Sequence, residues 1–197
     1  MLAMADKVLN TPLPSAQGDI KLSQTGLSLR REMEFCLPVA GSLTAKQVSA
    51  VLAPAEAAAF QLLDSETLSR WQLQFPEYLP ERGYLNGFID LVFRVEERYY
   101  LLDWKTNNLG HDYVDYNQRA LQQNMLDSDY LLQYHLYLVA LNRFLENRLP
   151  DYDYERNFGG VYYIYVRGVN GTGTETGVFY DRPEYGTVSA LTKVICG

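Results

Sequence analysis

The sequence predicts an α/β fold, a mixed central β-sheet flanked by helices. Two strand-like runs of β-branched and aromatic residues, Gly87–Phe93 and Tyr99–Trp104, bracket a short polar turn and read as a hairpin. A long helical segment then precedes another strong strand, Gly159–Arg167 (GGVYYIYVR). An order of strand, hairpin, helices and strand fits a sheet covered by helices. At 197 residues the chain suits one domain with a sizeable core. Its composition, 47% hydrophobic and 21% charged, is that of a globular protein.

Taken in order, residues 1–26 hold a short amphipathic start and a loop with Thr11, Pro12, Pro14, Ser15 and Gly18. No core is expected there, and the segment reads as an arm left from a longer chain, ahead of a domain over 27–197. Ser28–Val39 is a strand, because Met33, Phe35 and Leu37 alternate with Glu32, Glu34 and Cys36. Ala45–Leu52 and Ala55–Leu63 have helical spacing. Arg82-Gly83-Tyr84 leads into the hairpin, and Thr106–Gly110 is a polar turn after it. Asn117–Leu126 is helical. Asp127 or Ser128 caps a second helix, roughly 129–148, which ends before Pro150. Gly168–Gly177 is a surface loop, and 183–195 forms a last helix.

Charge and cysteines narrow the function. A net charge of −7 argues against gripping nucleic acid through bulk positive potential, although a catalytic module fed its substrate remains compatible with it. Cys36 and Cys196 are too few for a disulfide framework, so a reducing cytosol is the simple reading. No apolar run reaches membrane-spanning length, and MLAMADKVLN lacks the regions of a signal peptide.

The hairpin carries the chemistry. Asp90 lies inside its first strand, Asp103 near the end of its second, and Lys105 two residues beyond. If the turn is centred between Glu96 and Glu97, cross-strand partners have numbers summing to 193, and 90 plus 103 is 193. The two acids would then face each other with Cβ atoms about 4.5–5.5 Å apart, and Lys105 would project from the same face. Facing carboxylates repel unless a divalent cation joins them. Such a pair can hold Mg²⁺ for phosphodiester cleavage, with the Trp104 carbonyl as a further hard ligand and Lys105 orienting the attacking water. The plainer alternative is a solvated strand Asp and a surface D-x-K ion pair worth about 0–1 kcal/mol.

Elsewhere, Gln133 and Tyr137 form Q-x-x-x-Y, one helical turn apart on a face shared with Ala140 and Phe144. They could reach the phosphate, or be an interface amide and a part-buried core tyrosine. His135 lies about 200° around the helix from Gln133, facing away from any site there. His111 reads as a solvated loop residue. The Gly-rich loop lacks the G-K-[ST] ending of a phosphate loop. Tyr162, Tyr163 and Tyr165 read as strand packing, and Glu32 and Glu34 as an extra acid or a solvated face.

GFIDLVFR, YYLLDWKTNNLG, LLQYHLYLVAL and YDYERNFGGVYYIYVRGV, in that order, resemble the C-terminal nuclease domain of the RecB family, within the PD-(D/E)XK nuclease superfamily. The resemblance runs from about Thr11, through REMEFCLP, to near the C-terminus. It implies a restriction-endonuclease-like core with Asp90 and Asp103 as metal-binding acids, Lys105 as catalytic lysine, the Trp104 carbonyl as main-chain ligand, and Gln133 and Tyr137 as the family's Q-x-x-x-Y motif. Trp104 stands where the family has Tyr, a change a carbonyl ligand tolerates. It further implies Mg²⁺, with Mn²⁺ or Ca²⁺ able to substitute in binding, and a cytoplasmic deoxyribonuclease acting on a single strand delivered by a helicase during recombinational double-strand-break repair. The implied partners are DNA, RecB helicase domains, the RecC and RecD subunits and RecA, with no membrane. The family also has a metal-ligating histidine on a helix upstream of REMEF, for which neither histidine here stands in. A nuclease-fold module that only docks helicase or recombinase partners is therefore the alternative.

Overall fold

The computed structural model describes residues 2–24, 26–41, 43–53, 58–73 and 83–197. Five strands, β1 (Ser28–Val39), β2 (Gly83–Val95), β3 (Arg98–Lys105), β4 (Phe158–Tyr165) and β5 (Val178–Asp181), form one sheet in sequence order. All neighbours are antiparallel except β3 and β4, which are parallel. A parallel pair needs a crossover. Here it is supplied by α4 (Gln118–Asp127), α5 (Tyr130–Glu146) and α6 (Tyr154–Asn157). The expected mixed α/β sheet is what forms.

Helices α2 (Ala45–Leu52), α4, α5 and α7 (Tyr185–Cys196) pack on one face of the sheet. We call this the helical face. Met33, Ile89, Val92, Leu101, Val161 and Tyr163 meet Leu131, Leu138 and Leu191 there. Two of these helices start where polar side chains accept orphan N–H groups: Thr44 and Gln47 form a capping box on α2, and Asn117 accepts from Ala120 N on α4.

The opposite, outer face buries Phe93, Tyr100, Leu102, Tyr162 and Ile164. What covers it overturns the expectation that residues 1–26 hold no core. Val8 of α1 (Leu2–Asn10), Leu13, Ile20 and Leu22 are all buried against that face. The loop between them is closed by a Leu13–Ile20 bridge with N–H···O distances of 2.8 and 2.9 Å. Tyr162 Oη donates to the Pro14 carbonyl, tying the segment to β4. A sheet with helices on one side needs apolar cover on the other, and this segment provides it.

Several element boundaries shift. The 129–148 helix begins at Tyr130, and neither Asp127 nor Ser128 caps it. Asp127 closes α4, Ser128 follows as its C-cap, and Asp129 turns the chain with φ of 54° and no side-chain cap bond. The two caps are adjacent residues, and the left-handed conformation of Asp129 replaces a polar cap. Of the expected Ala55–Leu63 helix, the described part is a 3-10 turn over Ala58–Phe60; Ala55 itself, and Arg82 before the hairpin, fall outside the described residues. α3 (Ser65–Arg70), α6 and β5 were not anticipated; each spans six residues or fewer, too short for a periodic signal. Among the described residues no helix is long and apolar enough to cross a membrane.

Candidate active site

The β2–β3 hairpin has the anticipated register. Val95↔Arg98 through Leu91↔Leu102 all sum to 193, and Glu96 makes the tight turn at φ of 52°. The ladder stops one pair short of Asp90 and Asp103, so the facing rung expected from symmetry does not form. Instead the Trp104 backbone N–H donates to Asp90 Oδ2 at 3.0 Å. A carboxylate has taken the place of a backbone acceptor where β3 leaves β2 and continues beside β4 as far as Lys105↔Tyr165.

The cause lies in the strand alternation. Along β2, Ile89 and Val92 pack on the helical face, whereas Leu91 and Phe93 pack on the outer face. Strict alternation cannot place 89 and 92 together, so it slips by one at Asp90. β1 slips at the matching position. Glu32 has φ of 48° and, like Asp90, is skipped between the Arg31↔Leu91 and Met33↔Ile89 pairs. Asp90 thus stands between the two faces.

On the helical side, Asp103 and Lys105 are buried, 4% and 8% exposed. Lys105 Nζ lies 2.6 Å from Asp103 Oδ2 and donates to Gln133 Oε1 at 2.8 Å. It also sits over the ring of Tyr130 at 3.8 Å and near that of Tyr163 at 4.8 Å, a cation–π enclosure. Tyr163 Oη donates to the same Gln133 oxygen at 2.9 Å. Burial pushes the Asp103 carboxyl up; the Lys105 ammonium opposes this, and the nearby Asp90 charge adds to it. Burial, then Asp103 and Asp90, push the Tyr137 phenol up to about 12, so it stays protonated at neutral pH. Its ring packs edge-on against Phe35, with centroids 5.7 Å apart.

Asp90, Asp103, Lys105, Gln133 and Tyr137 therefore meet where β2 and β3 part beneath α5. Tyr137 is part of the core, as the plainer reading of Q-x-x-x-Y expects, and Gln133 bonds the lysine. Tyr163 is more than strand packing, since it holds Gln133. Tyr130 was missed, yet it precedes Gln133 by three residues on one helix face, and Tyr163 pairs with Asp103 in the parallel register. His135 is buried and bonded through Nδ1 to the Leu131 carbonyl at 2.8 Å; burial pushes its pKa down to about 4. It faces a separate cavity beside Asp181, and His111 is exposed in its loop.

Two neighbouring carboxylates offer the oxygen ligands that a hard divalent ion takes, whereas the Lys105 ammonium does not. Asp103 gains burial without matching neutralisation, because one ammonium serves a region that holds two acids. Among the described residues no group of three or more His, Cys, Asp or Glu could hold a metal ion. On the outer side, Asp90 also lines a cleft of about 440 Å³ with Leu9, Leu29, Arg31, Glu32 and Trp104.

A family model described as the PD-(D/E)XK nuclease superfamily matches residues 23–192. The chain is 40% identical over 184 residues to the RecBCD enzyme subunit RecB of Escherichia coli K12, covering 89% of this chain and 15% of that protein. The subunit of the same name from Haemophilus influenzae is 38% identical over 188 residues (95% and 14%), and that from Mycobacterium tuberculosis CDC 1551 is 38% identical over 200 residues (94% and 18%). The chain spans less than a fifth of the length of these relatives.

Proposed function

The chain belongs to the PD-(D/E)XK nuclease superfamily, and from that premise we propose that it is a Mg²⁺-dependent deoxyribonuclease domain of exodeoxyribonuclease V type, hydrolysing phosphodiester bonds in DNA. The observation that carries the proposal is the Asp103–Lys105–Gln133 chain, buried beside Asp90 where β2 and β3 diverge. Asp90 and Asp103, with the Trp104 carbonyl, would hold Mg²⁺, which supplies a water of lowered pKa and neutralises charge on the transferring phosphoryl group.

The protein's own groups do the rest. Asp103 and Gln133 grip Lys105 from two sides, and the Tyr130 and Tyr163 rings exclude water from its flanks. An ammonium so held needs little reorganisation to orient the attacking water and meet the charge growing on the phosphate. Tyr137, kept as a neutral phenol, can donate to a phosphate oxygen but cannot serve as a base near neutral pH.

The relatives named RecB suggest the setting: a single strand delivered by helicase domains, the RecC and RecD subunits and RecA as partners, and DNA end processing in recombinational repair in the cytoplasm. Cleavage of end-labelled single- and double-stranded DNA with Mg²⁺ tests the chemistry. The unmodified chain should cut, and Asp103→Asn should lose at least about a hundredfold in rate. Undiminished cleavage by the variant would overturn the assignment. The second reading, a docking module, is motivated by the lack, among the described residues, of any group of three or more His, Cys, Asp or Glu that could hold a metal ion. It predicts no calorimetric signal from Mg²⁺, Mn²⁺ or Ca²⁺ at millimolar concentration.

A further inference from the structure

A lysine ammonium carries three N–H donors. At Lys105, Asp103 Oδ2 at 2.6 Å and Gln133 Oε1 at 2.8 Å take two of them. What remains of the charge faces the Tyr130 ring, centred 3.8 Å from Nζ. A ring covers an ammonium only while its plane is held. Tyr130 is the first residue of α5, which starts without a side-chain capping bond. Its hydroxyl supplies the hold: Tyr130 Oη donates to Asn107 Oδ1 at 3.0 Å. Asn107 follows Lys105 by two residues, just past the end of β3. Its backbone is fixed in turn, because buried Tyr116 donates from Oη to the Asn107 carbonyl at 3.3 Å and accepts from Leu109 N at 3.3 Å. Arg167 Nε donates to the carbonyl of the preceding residue, Thr106, at 3.1 Å. The other ring beside the ammonium, Tyr163, is likewise anchored through its hydroxyl, to Gln133, and the two rings lie with centroids 5.6 Å apart.

We propose that Asn107 is a positioning residue for the reaction, fixing the seat of the Lys105 ammonium through Tyr130; the inference rests on the nuclease reading above. Asn107 bonds the tyrosine and not the lysine, so it acts at one remove. Two acceptors define an axis about which the ammonium can still swing, and a third contact on another side removes that freedom. The freedom matters, because a misplacement of about 1 Å at a reacting centre can cost about a hundredfold in rate. An amide suits the task. It accepts the phenol without adding a third negative charge to a region that already holds Asp90 and Asp103. The alternative is a tether that only fastens the loop after β3 to α5. A tether predicts that Asn107 variants are less stable, while the molecules that stay folded keep a seated lysine and full competence.

Asn107→Ala, Tyr130→Phe and the double variant test this, since each breaks the same bond and phenylalanine keeps the ring. In metal-free buffer, acetylation of Lys105 by an N-hydroxysuccinimide ester, followed by peptide mass spectrometry, reads how well the ammonium is seated. The unmodified chain should acetylate Lys105 far more slowly than exposed Lys46. Each single variant should speed the reaction by up to about tenfold, the net worth of one hydrogen bond, and the double variant should go no further. With Mg²⁺ and an end-labelled strand, kcat should fall by about the same factor at unchanged KM, because the contact serves the transition state. Tyr130→Leu, which removes the ring, should lose more than Tyr130→Phe in both assays. Unchanged protection of Lys105 in the single variants overturns the proposal, as does a double variant whose loss is the product of the two. A lower urea midpoint with kcat intact reduces Asn107 to a tether and overturns it as well. Cleavage by Asp103→Asn reports on the nuclease reading separately, and the acetylation pattern needs no cleavage, so either can fail alone.

Discussion

Replacing Lys105 by methionine probes the centre without inserting a void. The ammonium and the Asp103 carboxylate touch at 2.6 Å, with side chains only 9% and 6% exposed. Removing one partner of a buried pair leaves the other charged and unpaired, at a cost of about 3–5 kcal/mol. The cost should follow pH. Asp103 already has its carboxyl raised by burial, and without Lys105 it rises further. A folded-state pKa above the unfolded value means the deficit is absent below the ordinary carboxylate range and grows as pH climbs through the raised value. Lys105→Met should thus lose about 3 kcal/mol or more at pH 8 and much less at pH 4. Urea unfolding in metal-free buffer at both pH values reads this out. Asp103→Asn in the same chain should recover most of the loss at pH 8, since the stranded charge is then gone. A Lys105→Met penalty equal at both pH values, or a double variant whose loss is the sum of the singles, would refute the buried-pair account.

Other consequences can be checked independently. If Asp90 and Asp103 hold a cation, Ca²⁺ at a hundred times its dissociation constant should stabilise the chain by about 2.7 kcal/mol in thermal unfolding, and the Asp90→Asn, Asp103→Asn double variant should show no such gain. Asp181 is buried against Tyr134, whose hydroxyl donates to it at 2.8 Å, and burial pushes its pKa from 3.8 up to about 6. Its stabilising contribution is full below 3.8 and lost as pH rises through about 6, so Asp181→Asn, which keeps the acceptor, should gain on the order of 2 kcal/mol at pH 8 and little at pH 4. Equal effects at the two pH values would show that the charge is not the cause. Asp129, held at φ of 54° without a capping bond, should accept glycine with a gain of up to about 1 kcal/mol, and a clear loss in denaturant midpoint would point to an unrecognised role for its carboxylate.

Much of this molecule is legible along the chain because its signals are local. Alternation in Ser28–Val39 and the polar turn at Glu96-Glu97 specify strands and register, and the five hairpin pairs sum as the turn symmetry requires. Spacing alone also places Gln133 and Tyr137 on one helix face and turns His135 away. The acids and lysine stand out because charges inside apolar strands need a reason. Three things depended on the tertiary structure. Residues 1–26 look coreless because their apolar residues Val8, Leu13, Ile20 and Leu22 are too scattered for any period; they matter only once the outer face of the sheet needs cover. The slip at Asp90 needs paired irregularities in β1 and β2, 58 residues apart, so no local pattern announces it. The enclosure of Lys105 joins β3, β4 and α5, and only the parallel pairing of Asp103 with Tyr163 brings Tyr163 and Gln133 to the same ammonium. Short-range sterics and periodicity thus determine the elements and the acids they carry. Which groups share a buried charge is decided by long-range packing, which brings distant strands and helices together.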